Sequence, residues 1–206
     1  TEELSLLVPV LRVSAKIKSL LGYRCDLPLL TDSAADVNSF PDILEPLEQT
    51  IAPDGGLLDS ASHLLFTLRR NQRHLVARVR KRLEEIVRER EVAIFLQDDF
   101  ITQRNGRWVI PVRMDSKGMV PGVVHDVSRT GETAFMEPIE IIGLVNELEN
   151  LNAEEKAEQI RILREISAWI REDADAILAS FNALVQLDFL NSIAAFADLL
   201  DAKKPQ

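Results

Sequence analysis

The residues whose types could do chemistry in this 206-residue chain are three histidines, one cysteine and a few paired acids. His63 and His74 fall eleven residues apart on one predicted helix, about three turns or roughly 16 Å at ~1.5 Å per residue. Ligands of one zinc ion lie within a few ångströms of each other, so this pair chelates no ion unless the helix breaks. His125 and Asp126 are neighbours on a predicted strand and point to opposite faces, so adjacency makes no dyad of them. Cys25 has no identifiable activating partner and reads as an inert thiol. As the single cysteine it excludes an internal disulfide framework and a cysteine-rich zinc module. Asp98-Asp99 at a helix end and Glu154-Glu155 on a helix face read as solvated acids. The sequence holds no GxxxxGK[ST] phosphate loop, no GxGxxG after a strand and no nucleophile elbow. No catalytic residue, metal ligand or cofactor site is therefore assigned, and the chain by itself is not expected to be an enzyme.

Charge is more informative than these residues. Lys+Arg number 24 and Asp+Glu 33, a net charge of −9, which argues against a whole-surface nucleic-acid binder but not against a local basic patch. Residues 69–91 carry nine basic and four acidic side chains, +5, so the rest of the chain carries −14. Two readings stay open for this helix. Its arginines pair with acids on a returning helix, such as Glu154, Glu155, Glu158 or Glu165. Alternatively they form a phosphate-binding stripe, for which Arg69, Arg73 and Arg80 are the candidates. A second basic group, Arg104, Arg107, Arg113, Lys117 and Arg129, faces four acids within residues 100–138. Four of these five lie in or beside predicted turns, where they could contact a phosphate backbone without reading sequence, or simply be solvated hairpin tips. Aromatics are 5% with no Phe/Tyr cluster, which disfavours a base-stacking platform.

The elements that must position these residues follow from composition and periodicity. Hydrophobic residues make up 46%, enough for a core, while glycine and proline total only 17, a helical composition. No apolar run approaches the ~18 residues of a membrane span, and no signal peptide is present; a cytoplasmic setting without membrane association is expected. Residues 1–59 read as a base of short helices, with Pro9 as a kink or break, Gly22 ending the first helix, a polar loop over 31–39, a short helix from Pro41 to Ile51 and a turn at 53–56. From an N-cap at Asp59 or Ser60, Leu65, Leu68, Gln72, Leu75, Val79, Leu83 and Ile86 form a near-heptad seam to about residue 95. Residues 100–138 read as a small antiparallel meander. Arg104-Asn105-Gly106-Arg107 is its hairpin signal, and Pro111 must face an edge or bulge. Residues 139–206 return to helix, solvated over Asn152–Gln159 and ending at Lys203-Lys204-Pro205. The expected fold is mainly α with a small antiparallel β insertion: lever helices over 60–99 and 139–206 form an arm with a β clamp-like subdomain (100–138) at its tip, on a helical base (1–59).

Residues 96–151 carry a resemblance. R-N-x-R-[aromatic]-V-I-P-V at Arg104–Val112, G-x-V-H-D at Gly122–Asp126, S-x-x-G-x-T at Ser128–Thr133, Glu137-Pro138 and N-E-L at Asn146–Leu148 resemble the signature of the MutS-II family, the bacterial MutS-like proteins that lack mismatch-reading domains. I-x-x-D-G-x-L-x-D-x-A-S from Ile51 and L-x-x-L-D-F near Leu184–Phe189 extend the resemblance over roughly residues 40–200. It implies the lever helices and clamp of a MutS-like protein, a non-catalytic piece of a longer chain. The parent would carry an ATPase domain that binds ATP and Mg, and an Smr endonuclease domain. It would act as a homodimer on DNA, ribosomal RNA or both, in suppressing homologous recombination and rescuing collided ribosomes. The resemblance makes nucleic acid the expected partner of Arg104, Arg107, Arg113, Lys117 and Arg129. A purely structural spacer or protein-interaction arm is the alternative.

Overall fold

In a computed structural model of the chain, residues 2–22, 24 and 26–202 are described. Cys25 and the terminal Lys203-Lys204-Pro205 lie outside them. The chain is mainly α with a small antiparallel sheet, and it divides into two compact units, residues 64–158 and residues 1–63 with 159–206.

The first unit is built on α1 (Glu2–Leu21), α2 (Pro28–Ser33), α3 (Pro41–Thr50), the later part of α6 (Ile139–Glu172) and α7 (Ala174–Leu199). Pro9 lies inside α1 and does not break it. A proline near a helix start removes one hydrogen bond, and the buried Leu11 and Ser14 keep the following turns seated. Gly22 ends the helix as expected: its N–H donates to Lys18 O at 3.0 Å, and a Cβ there would come within 2.8 Å of the same oxygen. The polar loop expected over 31–39 begins later, because Pro28 pre-sets a helical turn that runs through Ser33. Ala34, Val37 and Ala183 form a small core with Ile17, Leu21, Leu184 and Leu187. Ser180 fastens it. Its hydroxyl donates to Asp36 O (2.9 Å) and accepts from the Asn38 N–H (3.0 Å).

The expected absence of a long uninterrupted apolar run holds for the sequence, yet α7 is long and apolar enough to cross a membrane by length and composition only, with a mean hydropathy of 1.3 over 18 residues. Asp188 and Asn191 break its apolar residues into shorter runs, which hides the average from a search for uninterrupted ones.

In the second unit α4 (His63–Arg88) pairs with the first part of α6. Arg69 meets Glu155, Gln72 meets Asn152 and Glu155, and Arg82 meets Glu140. Rising numbers on one helix meet falling numbers on the other, so the two run antiparallel. Leu75, Val79, Leu83 and Ile86 form the buried face of the expected seam. The helix is shorter than its seam: it starts after an isolated turn at Asp59–Ala61 and stops at Arg88, where Glu89 turns extended (ψ 123°). A brief α5 (Arg90–Ala93) then carries Val92, Phe95 and Leu96 onto the core. Continuous helix would sweep those side chains around the axis and away from it.

Four strands follow: β1 (Thr102–Arg104), β2 (Arg107–Arg113), β3 (Gly122–Val127) and β4 (Thr133–Pro138). Their spatial order is β1-β2-β4-β3, not a meander. Val120, in the segment linking β2 to β3, is buried in the core, so that segment crosses the sheet end and β3 arrives beyond β4. Ile110, Val112, Ala134 and Met136 bury one sheet face against Val79, Leu83 and Ile86 of α4 and Ile141 and Val145 of α6. Pro111 lies in a central strand, facing the gap where the β1 ladder ends at Val109 and only the Leu96–Val112 bridge continues. Its carbonyl accepts from Gln97 N–H at 2.9 Å.

Candidate nucleic-acid interface

The register divides the five basic residues of the β region between the two ends of the sheet. Arg104 and Arg107 flank a turn in which Asn105 (φ 52°) and Gly106 (φ 79°) both adopt the left-handed region, as a two-residue hairpin requires. Arg113 is six residues along β2 from Arg107, paired with Thr133, or about 20 Å away at ~3.3 Å per residue. Lys117 follows Arg113 beyond the short turn at Met114–Ser116, and Arg129 sits in the β3–β4 turn beside Thr133.

At the hairpin end the cations are engaged. Arg107 donates to Asn146 Oδ1 (2.8 Å) and Glu149 Oε2 (2.9 Å) on α6 and reaches Glu137 Oε1 (3.4 Å). Glu137 is 1% exposed; a carboxylate buried that far must be paired to stay ionised. Its other oxygen lies 2.7 Å from His125 Nε2. An ionised carboxylate only accepts, so that nitrogen carries the hydrogen. His125 reaches Glu137 because it is the extra residue of a β-bulge between Val124 and Asp126. Asn105 Nδ2 donates to the His125 carbonyl (3.2 Å), and Arg104 lies 3.6 Å from Asp126 and 4.6 Å from the centre of the Phe135 ring. These side-chain contacts tie the β1–β2 hairpin to β3.

The other end is different. Arg113 donates to the Ile94 carbonyl (2.9 Å) and has Asp115 at 3.9 Å, leaving its guanidinium half exposed. Lys117 and Arg129 are exposed and have no ion-pair partner among the described residues.

On α4 the candidates also separate. Arg69 turns towards α6 and pairs with Glu155 (2.8 Å), both partners being about four-fifths buried. Arg73 and Arg80 are exposed. Arg82, which the sequence did not single out, bridges Glu85, Glu89 and Glu140. Its hydrogen bonds to Glu85 and then Glu140 raise its pKa above the ordinary guanidinium value. Both histidines of α4 are exposed, and no cluster of three or more metal-ligating side chains occurs among the described residues. Sequence reasoning missed Glu137 as the centre of a polar network; its only sign was its place in the Glu-Pro pair.

The class of molecule defined by this geometry is a helical protein with a small four-stranded antiparallel sheet and exposed cations on both. No protein-family model matches the chain. It is similar to proteins named endonuclease MutS2. It is 38% identical over 189 residues to that of Geobacillus sp. (strain WCH70), covering 92% of this chain and 24% of the relative. To that of Pelotomaculum thermopropionicum it is 37% identical over 205 residues, 99% of this chain and 26% of the relative. To that of Listeria innocua it is 38% identical over 199 residues, 95% and 25%. The chain spans about a quarter of the length of these curated relatives.

Proposed function

We propose that this chain is the lever-and-clamp segment of a MutS2-like protein and grips nucleic acid without reading its sequence. The observation that carries the reading is the similarity to MutS2 proteins over 92–99% of the chain. The cations of the sheet end that holds Arg113, Lys117 and Arg129 support it further. Those three side chains contact phosphates. Arg104 and Arg107 lie at the opposite end of the sheet: Arg107 fastens it to α6, Arg104 meets Asp126 of β3, and only the exposed part of Arg104 is free to touch a ligand. Within the longer protein, levers couple the grip to an ATPase domain that binds ATP and Mg. The parent works as a cytoplasmic homodimer with a C-terminal endonuclease domain, on branched DNA or ribosomal RNA, in suppressing recombination and rescuing collided ribosomes.

The pairing of Arg69, Arg82 and Arg107 with acids of α6 favours a second reading, a structural spacer whose charges serve helix pairing alone. One experiment separates the two. Lys117→Glu with Arg129→Glu, in the 206-residue chain, is titrated against duplex DNA and duplex RNA at several salt concentrations. The grip predicts weaker binding and a salt slope shallower by about 0.9 for each phosphate no longer neutralised. Unchanged affinity and slope select the spacer.

A further inference from the structure

We infer that the outward face of α4 is a second nucleic-acid contact, a track for the phosphate backbone of a duplex, separate from the sheet end. Arg70, Lys81 and Arg88 recur at helical spacing on the side of α4 opposite the buried Leu68, Leu75, Val79, Leu83 and Ile86, and Arg80 lies on the flank of that side. All four are exposed, and none has an ion-pair partner among the described residues. Exposed His74 and Ala77 fill the row between them, and Glu84 is the acid that shares it.

Helix pairing does not account for this face. Over its length α4 carries eight basic residues and two acids, while residues 139–158 of α6 carry six acids and one lysine. Arg69 and Arg82 serve the pairing by taking Glu155 and Glu140. Of the other six, Arg70, Arg80, Lys81 and Arg88 have no ion-pair partner among the described residues, and with Glu84 as the acid beside them they leave an excess of positive charge that an outside polyanion would neutralise.

The dimensions fit a duplex. Arg70 to Arg88 spans about 27 Å at ~1.5 Å per residue. That length of double-stranded DNA presents about sixteen phosphates at one charge per ~1.7 Å. The row holds no Phe, Tyr or Trp on which successive unpaired bases would stack. That absence selects a duplex over a single strand, and the duplex DNA and duplex RNA arms of the test separate the two sources of such a backbone.

The inference rests on the nucleic-acid reading above but uses different residues, so the two fail separately. The test uses the 206-residue chain and fluorescent DNA and RNA duplexes of about 30 base pairs, with anisotropy read between about 50 and 200 mM salt. Arg70→Gln, Arg80→Gln, Lys81→Gln and Arg88→Gln are combined, since glutamine keeps helix propensity close to that of lysine and arginine. Circular dichroism verifies the fold. Affinity at low salt should fall at least tenfold, and the slope of log K against log salt should become shallower by up to about 3.6, at about 0.9 for each of the four charges removed. Lys117→Glu with Arg129→Glu is run in parallel. Loss of binding in that variant alone overturns the α4 track and leaves the grip intact; loss in the α4 variant alone does the reverse. Absence of binding to both duplexes by the unaltered chain also overturns the track.

Discussion

At the residue scale the molecule turns on Glu137. Its buried carboxylate sits between His125 of the β3 bulge and Arg107 of β2, and Arg107 continues to α6. Replacing Glu137 with alanine strands the His125 hydrogen while Arg107 keeps Asn146 and Glu149, so a loss of about 1–3 kcal/mol is expected in chemical denaturation. A loss below half a kcal/mol would show the carboxylate to be incidental. Gly122 gives a sharper prediction, because a Cβ there would lie 2.4 Å from the Glu137 carbonyl oxygen. Backbone cannot move aside as a flexible side chain would. Gly122→Ala should therefore cost about 1–3 kcal/mol and broaden amide resonances of β3 and β4. Of this site, the hairpin was legible, because Asn-Gly has a local conformational reason to turn. The His125–Glu137 pair was not. Their contact needs two strands in register and a bulge, and no local pattern encodes either.

At the element scale the antiparallel pairing of α4 with α6 is the main event. The apolar spacing of α4 and the acids of the returning helix both foretold it. Coupling across the pair is measurable at Arg69 and Glu155, which are more enclosed than a typical surface ion pair. A double-mutant cycle with Arg69→Ala and Glu155→Ala should give a coupling of about 0.5–1 kcal/mol, falling at high salt. Zero coupling would reduce the pair to geometry. Two features of the elements escaped periodicity. The helix ends at Arg88, short of the expected residue 95, because a break at Glu89 lets Val92, Phe95 and Leu96 pack on the core, which continuous helix would turn away from it. The strand order departs from a meander because Val120 is drawn into the core between β2 and β3. Tertiary burial decides both outcomes.

At the scale of the whole molecule, charge and apolar surface are unevenly shared. Residues 64–158 hold 15 basic and 16 acidic side chains, a net −1, so −8 of the chain's −9 lies in the other unit. That unit also carries the apolar excess: Phe189 and Phe196 of α7 are 65% and 62% exposed. Phe189→Ser with Phe196→Ser should leave the thermal midpoint within about 2 °C, since little buried area is removed, while binding of a hydrophobic dye falls severalfold. A large drop in the midpoint would mean that these rings are buried in solution. The 206-residue chain should also hydrolyse no ATP, as it lacks a phosphate loop; turnover in a purified sample that disappears on further purification would be contamination, and turnover that persists would refute the expectation. By itself the sequence determined the helical class, the place of the β insertion, the Asn-Gly hairpin and the concentration of cations on one helix. Each of these depends on residues close together in the chain. Only the tertiary structure decided which arginines are neutralised, which face outward, and that Glu137 and His125 meet, because those depend on what distant segments bring to the same point.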